Sequence, residues 1–201
     1  QRLTQEDAGG AFLTMLLAAT CLLALTGCGE GTNEKTATDG TGAESPLIDA
    51  GTASDFDDGT AGWMALNAAR VARSTEESHS GKAAMLVSTQ GKGEYEGAWT
   101  KPFLDVQPGN SYSASAWVWV PEEARVVLQL AERNANGEYV AGQVETIDGT
   151  GDWVRANVEW TFSDAAQLAS VQVVTNRSPQ ELRFFVDDVE LARSAASEEG
   201  G

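Results

Sequence analysis

Cysteine is nearly absent from the chain. There are two, Cys21 and Cys28, both in the first segment, so the long remainder has no thiol for a disulfide, a nucleophile or a zinc site. Its stability must come from core packing, with a metal as the one available staple. Histidine is scarcer still. His79 stands alone without a His or Cys partner, which argues against zinc binding and histidine catalysis; within "HSGK" it is expected to pack or hydrogen-bond at a turn. Positive charge is also scarce: 13 Lys and Arg against 30 Asp and Glu give a net charge of −17. No basic stripe is available for phosphates, which excludes a nucleic-acid partner, and electrostatic docking on anionic lipid is excluded for the same reason. The one long apolar run, "AFLTMLLAATCLLALTG" at 11–27, is too short for a comfortable membrane span. No internal repeat is present.

That apolar run resembles a signal-peptide core, and the junction "LTGC" (Leu25, Thr26, Gly27, Cys28) resembles a bacterial lipobox. In such signals the cut falls before the cysteine, whose thiol carries the lipid; small residues before the cut suit a narrow peptidase cleft. Cys28 is therefore the expected lipidation site and residues 1–27 the expected lipoprotein signal peptide. The alternatives are an ordinary secretory peptide or a short membrane anchor. One departure is that "QRLTQEDAGG" has one Arg against two acids and starts with Gln, whereas a signal start is basic. Residues 28–46, "CGEGTNEKTATDGTGAESP", lack large apolar side chains and read as a disordered tether; 194–201, "SAASEEGG", read as a disordered tail. The expected location is the cell envelope, extracytoplasmic and lipid-anchored, at the outer membrane or cell surface. Gly29 after the cysteine is not a retention aspartate and leans toward the outer membrane.

Residues 47–193 read as β throughout. Alternating runs, "SYSASAWVWV" (111–120), "RVVLQLAE" (125–132), "DWVRANVEWTF" (152–162), "LASVQVVT" (168–175) and "ELRFFVDDVEL" (181–191), are separated by "QPGN", "PEEA", "NANGE", "DGTGD" and "NRSPQ". Regular short strands with turn residues between them predict an all-β, antiparallel two-sheet sandwich with a single core, and a monomer.

Alternation also divides the tryptophans. In 111–120 the set Tyr112, Ala114, Ala116, Val118 and Val120 faces the core, which leaves Trp117 and Trp119 on the outer surface. Adjacent outward indoles form a patch that a monomer normally hides. They are either a platform on which sugar C–H faces stack or a surface covered by a loop or the tether. Gln129 and Gln172 are outward by the same logic, and Tyr95, Trp99 and Tyr139 fall in expected loops or strand edges where a groove rim would lie. In the last strand alternation groups Asp187 with Phe185, Val189 and Leu191 as core-facing, and Asp188 with Val186 and Glu190. A buried carboxylate needs a cation or several donors; N–H groups of the "HSGK" turn would serve without a metal.

"FDDGTAGW" (56–63), "SHSGKAAMLV" (78–87), "VQPGNSYSASAWVWV" (106–120), Trp153 opening a strand, and "FFVDDVEL" (184–191) occur in an order that resembles the cellulase-C-type carbohydrate-binding modules. The resemblance covers 48–192. It implies a jelly roll of the galactose-binding-like fold, with Trp63, Trp153 and Trp160 in core positions. It further implies a structural calcium tying the last strand to the first, held by Asp57, Asp187 and main-chain carbonyls around Ser80, Gly81 and Lys82. The implied function is noncatalytic binding of a polysaccharide or oligosaccharide, with the membrane as partner only through the lipid anchor. The alternative is a spacer or protein-interaction lipoprotein. A glycoside hydrolase would need two opposed carboxylates; the acids available are Glu94 with Glu96, and Glu122 with Glu123 in a turn after Pro121.

Overall fold

The computed structural model describes residues 54–101, 104–177 and 181–194. The signal, lipidation and tether expectations, and the tail beyond Ser194, lie outside the described residues. The described part belongs to one compact unit, 41–201.

Among the described residues eleven strands form two antiparallel sheets: β1 (Trp63–Leu66), β2 (Arg70–Ser74), β3 (Ala84–Ser88), β4 (Gly97–Thr100), β5 (Leu104–Asp105), β6 (Ser111–Trp119), β7 (Arg125–Arg133), β8 (Tyr139–Asp148), β9 (Trp153–Thr161), β10 (Leu168–Val174) and β11 (Arg183–Arg193). One sheet, here sheet A, runs β1-β4-β10-β7-β8, with β5 also on β10; the other, sheet B, runs β2-β3-β11-β6-β9. This crossed order is a jelly roll, as the resemblance implied, built on the two-sheet antiparallel sandwich that the runs predicted. Among the described residues there is no helix.

The core lies between the sheets. Ala114, Ala116 and Val118 of β6 and Val186, Val189 and Leu191 of β11 face Leu128 and Leu130 of β7 and Val171 and Val173 of β10, all within 1% of complete burial. Each buried Leu or Val contributes about 1.5–3 kcal/mol relative to an exposed one. Trp63 joins this core at 6% exposure, and Trp160 packs half-buried against it. Glu132, fully buried beneath Trp160, accepts the Trp160 indole N–H, the Ser163 N–H at 3.0 Å and the Ser163 hydroxyl at 2.7 Å.

Two readings are corrected, one from alternation and one that the resemblance implied. The period of β11 breaks: Phe185 pairs with Trp119 and Asp187 with Trp117, then the register shifts, so that Glu190 pairs with Ser115. Asp188 sits in this bulge at φ 46°, a left-handed conformation that Asp tolerates better than most residues. Phe185 and Asp187 therefore lie on the outer face of sheet B, while Val186, Val189 and Leu191 point inward. Asp187 is nonetheless 0% exposed, because the 78–82 turn covers it. Trp153 pairs with Trp119 and so stands half-buried on the same outer face, not in the core.

β8 did not stand out as a strand in the sequence. Only Ile147 of its ten residues is buried, since an edge strand has little hydrophobic alternation to show.

Candidate functional site

Outward side chains of sheet A form a row through five strands. Met64 pairs with Trp99, Trp99 with Gln172, Gln172 with Gln129 and Gln129 with Val144. Directly opposed residues share a face, so Gln129, Gln172 and Trp99 converge although they are distant in the chain. In the next row Gly97 lies between Leu66 and Val174. A Cβ at Gly97 would stand 2.2 Å from the Val173 carbonyl oxygen, so the row keeps a gap there.

The hollow above these rows is a groove of about 550 Å³, lined by Tyr95, Gln129, Arg133, Tyr139 and Gln172 with Leu66, Asn67, Val127, Val144, Val174 and Asn176. Tyr95 and Tyr139 are 42% and 56% exposed. Arg133 supplies the only charge among the lining residues. Its guanidinium lies 4.8 Å from the Trp99 ring centroid, so Trp99 supports the groove from beneath. The Ser170 hydroxyl joins this layer, accepting Arg133 Nε–H at 2.8 Å and Gln172 Nε2–H at 3.2 Å. Burial pushes the Arg133 guanidinium below its ordinary value, with the Tyr139 phenol acting the other way.

Four of the seven residues expected at a ligand, Gln129, Gln172, Tyr95 and Tyr139, thus line this groove, and Trp99 lies beneath its Arg133. Trp117 and Trp119 do not; they lie on the outer face of the opposite sheet. The His79 ring stacks on Trp117 at 3.8 Å between centroids, 14° from parallel, and meets Trp153 edge-on at 5.8 Å. Trp119 donates its indole N–H to the Gly151 carbonyl at 2.7 Å and packs edge-on to Phe185.

Sequence reasoning passed over Arg133, Asn67 and Asn176. Arg133 was within reach: continuing the alternation from Gln129 through Ala131 places it outward, one residue past the expected strand end.

The turn expected to hold calcium is built from hydrogen bonds. Asp187 Oδ2 accepts the N–H groups of His79 (2.9 Å) and Ser80 (3.1 Å), and Oδ1 accepts that of Asp188 (2.9 Å). Asp57 Oδ1 accepts Lys82 N–H at 2.5 Å and Ala83 N–H at 3.1 Å. Gly81, at φ 59°, packs so tightly that a Cβ would come within 2.6 Å of the Asp57 carboxylate. Asp188 accepts the Ser80 hydroxyl at 2.7 Å and lies 2.6 Å from His79 Nδ1. Burial raises the Asp187 carboxyl above the usual carboxylate range; the three N–H bonds oppose this and the Asp188 charge adds to it. Among the described residues no three Asp, Glu, His or Cys side chains converge as a metal site. The all-oxygen donors here, Asp57, Asp187 and main-chain carbonyls of the turn, suit a hard cation such as calcium in kind, while N–H donors already meet the needs of both carboxylates.

The other acids do not form an opposed pair. Glu96 is buried under its own loop, and Glu122 and Glu123 are exposed in a turn where Glu123 takes φ 65°.

A β-sandwich jelly roll with a polar, tyrosine-flanked groove across one sheet defines a class of binding domains. The family described as carbohydrate binding domain matches residues 50–180, and the chain belongs to that family. No curated protein matches it. Among solved structures it is similar to the CBM22-1 xylan-binding domain of Xyn10C from Paenibacillus barcinonensis, with 15% identity over 72% of this chain and 94% of that one, TM-score 0.56. It is also similar to the CBM22-1–GH10 modules of Clostridium thermocellum endo-1,4-beta-D-xylanase 10B complexed with xylohexaose (18% identity, 71% of this chain, 28% of that one, TM-score 0.55). A third is a family 16 carbohydrate binding module (23% identity, 73% and 99% covered, TM-score 0.53). At these identities the likeness speaks for the fold.

Proposed function

We propose that the groove of sheet A is the carbohydrate site and that its ligand is a linear xylan-type polysaccharide. The observation that carries this reading is the convergence of Gln129 and Gln172 in one cross-strand row between two exposed tyrosines. Sugar rings stack their C–H faces on the Tyr95 and Tyr139 rings. The Gln129 and Gln172 amides and the Arg133 guanidinium exchange hydrogen bonds with sugar hydroxyls, and Trp99 holds Arg133 in place. The choice of xylan follows the xylan-binding solved neighbours.

Retardation of residues 41–201 in gels containing xylan tests this. Tyr95→Ala with Tyr139→Ala is expected to abolish retardation, and Trp117→Ala with Trp119→Ala to preserve it. The reverse pattern would move the site to sheet B, and retardation by another glycan alone would replace the ligand.

The chain acts at the cell envelope, tethered through lipid on Cys28; mass spectrometry of the membrane fraction, with Cys28→Ser as control, tests this. Calcium is proposed as a structural ion at the Asp57–Asp187 turn. Its expected sign is a higher melting temperature in calcium than in chelator, lost in Asp57→Asn; equal melting in both would remove the ion.

A further inference from the structure

The loop between β3 and β4 brings Tyr95 to the groove, and one side chain shapes that loop. Glu96 is 1% exposed. Its Oε2 accepts the main-chain N–H groups of Gln90 at 2.5 Å and Gly91 at 3.2 Å; its Oε1 accepts those of Lys92 at 2.5 Å and Gly93 at 2.5 Å. Four successive N–H groups turned inward from a loop need acceptors, and a single ionised carboxylate meets all four. Burial works against the charge, but the N–H bonds together outweigh it and hold the Glu96 carboxyl below the usual range.

The other side of this anchor is the groove wall. Glu96 N–H donates to Thr175 Oγ1 at 3.2 Å, Thr175 N–H to the Glu96 carbonyl at 2.8 Å, and Arg177 N–H to the Glu94 carbonyl at 2.6 Å. The Asn67 amide donates to the Tyr95 carbonyl. The Tyr95 backbone is thereby held between the Glu96-centred loop, Asn67 and the segment that follows β10, and Tyr95 lines the groove.

We propose that Glu96 is a positioning residue of the groove: its buried carboxylate fixes the 90–93 loop and so sets where the Tyr95 ring stands against a ligand. This rests on the reading of the groove as the binding site.

The test uses the full chain labelled with 3-fluorotyrosine, as wild type, Glu96→Gln, Tyr95→Ala and the double variant. Fluorine NMR without ligand is followed by titration with xylohexaose. In Glu96→Gln the Tyr95 resonance is expected to shift or broaden while those of Tyr112 and Tyr139 hold. Affinity is expected to fall by about three- to tenfold, the scale of one lost aromatic contact, and this loss is expected to vanish in the Tyr95→Ala background, because Glu96 acts through that ring. An unmoved Tyr95 resonance, or an equal loss of affinity with Tyr95 already removed, overturns the proposal. Failure of the wild type to bind xylohexaose counts against xylan at the groove, and the ligand-free spectra then decide whether Glu96 places Tyr95. Should Glu96→Gln not fold, Gly93→Ala, whose Cβ would stand 3.2 Å from Glu96 Cγ, perturbs the same loop with the same expectations.

Discussion

The outer faces of the two sheets carry similar kinds of side chain but differ in what lies over them. Sheet B holds three tryptophans, Trp117, Trp119 and Trp153, yet the 78–82 turn lies over part of it: His79 is stacked on Trp117 and the turn N–H groups are tied to Asp187, while Trp119 and Phe185 line a separate hollow. Sheet A has fewer aromatic side chains facing out, but its groove stays open, with polar groups on the floor and tyrosines at the sides. Aromatic content therefore does not decide which part of a face stays open. What matters is whether another segment has already occupied it.

Removing the carboxylate that fastens the cover on sheet B gives the largest expected effect. Asp187→Ala leaves three main-chain N–H groups without their acceptor and is expected to cost about 2–3 kcal/mol of stability by urea denaturation, with polysaccharide affinity unchanged. An affinity loss in a folded Asp187→Ala protein would mean that the two faces are coupled.

Trp119→Ala should follow at about 2 kcal/mol, less than a fully buried indole because Trp119 is only half-buried, again with binding intact. On sheet A the pattern inverts. Tyr139→Ala is expected to weaken polysaccharide binding by about 1 kcal/mol while the urea midpoint barely moves. Titration calorimetry beside denaturation separates the two effects.

Acid sharpens the same contrast, since Glu96 and Asp187, two of the buried carboxyls, are shifted in opposite directions. Glu96, on the groove side, is lowered in the fold; its contribution is full above the unfolded value of about 4.3 and is lost as pH falls through the folded value. Asp187, on the covered side, is raised. Its ionised form costs stability above the folded value, and that cost is relieved as pH falls toward about 3.9. Glu96→Gln should therefore flatten the acid loss of stability, and Asp187→Asn should remove the opposing gain. The smallest effect is expected at Arg125–Asp148, whose side chains are 65% and 70% exposed: Asp148→Asn should change stability by no more than about 0.5 kcal/mol.

Much of this was legible in the chain. The alternation in 111–120 correctly placed Trp117 and Trp119 outside, because Tyr112, Ala114, Ala116 and Val118 form an unbroken core-facing set. Gln129 and Gln172 were legible for the same reason. The orientation of Asp187 was not, because the bulge at Asp188 inserts a residue that side-chain period alone does not announce. Nor was the burial of Glu96, since the four N–H groups that its carboxylate accepts come from a loop that only the fold turns inward.

By itself the sequence determined the class of architecture, the core-facing sets of the long strands and the family, because period-2 burial and turn residues are local properties. Only the tertiary structure decided which outward residues share a face and which face remains open. Trp99, Gln129 and Gln172 become neighbours through the pairing of β4, β10 and β7, and Trp117 is covered by a turn from far earlier in the chain. Strand order and loop placement are long-range pairings, set by the packing of the whole sandwich and recorded in no single stretch of residues.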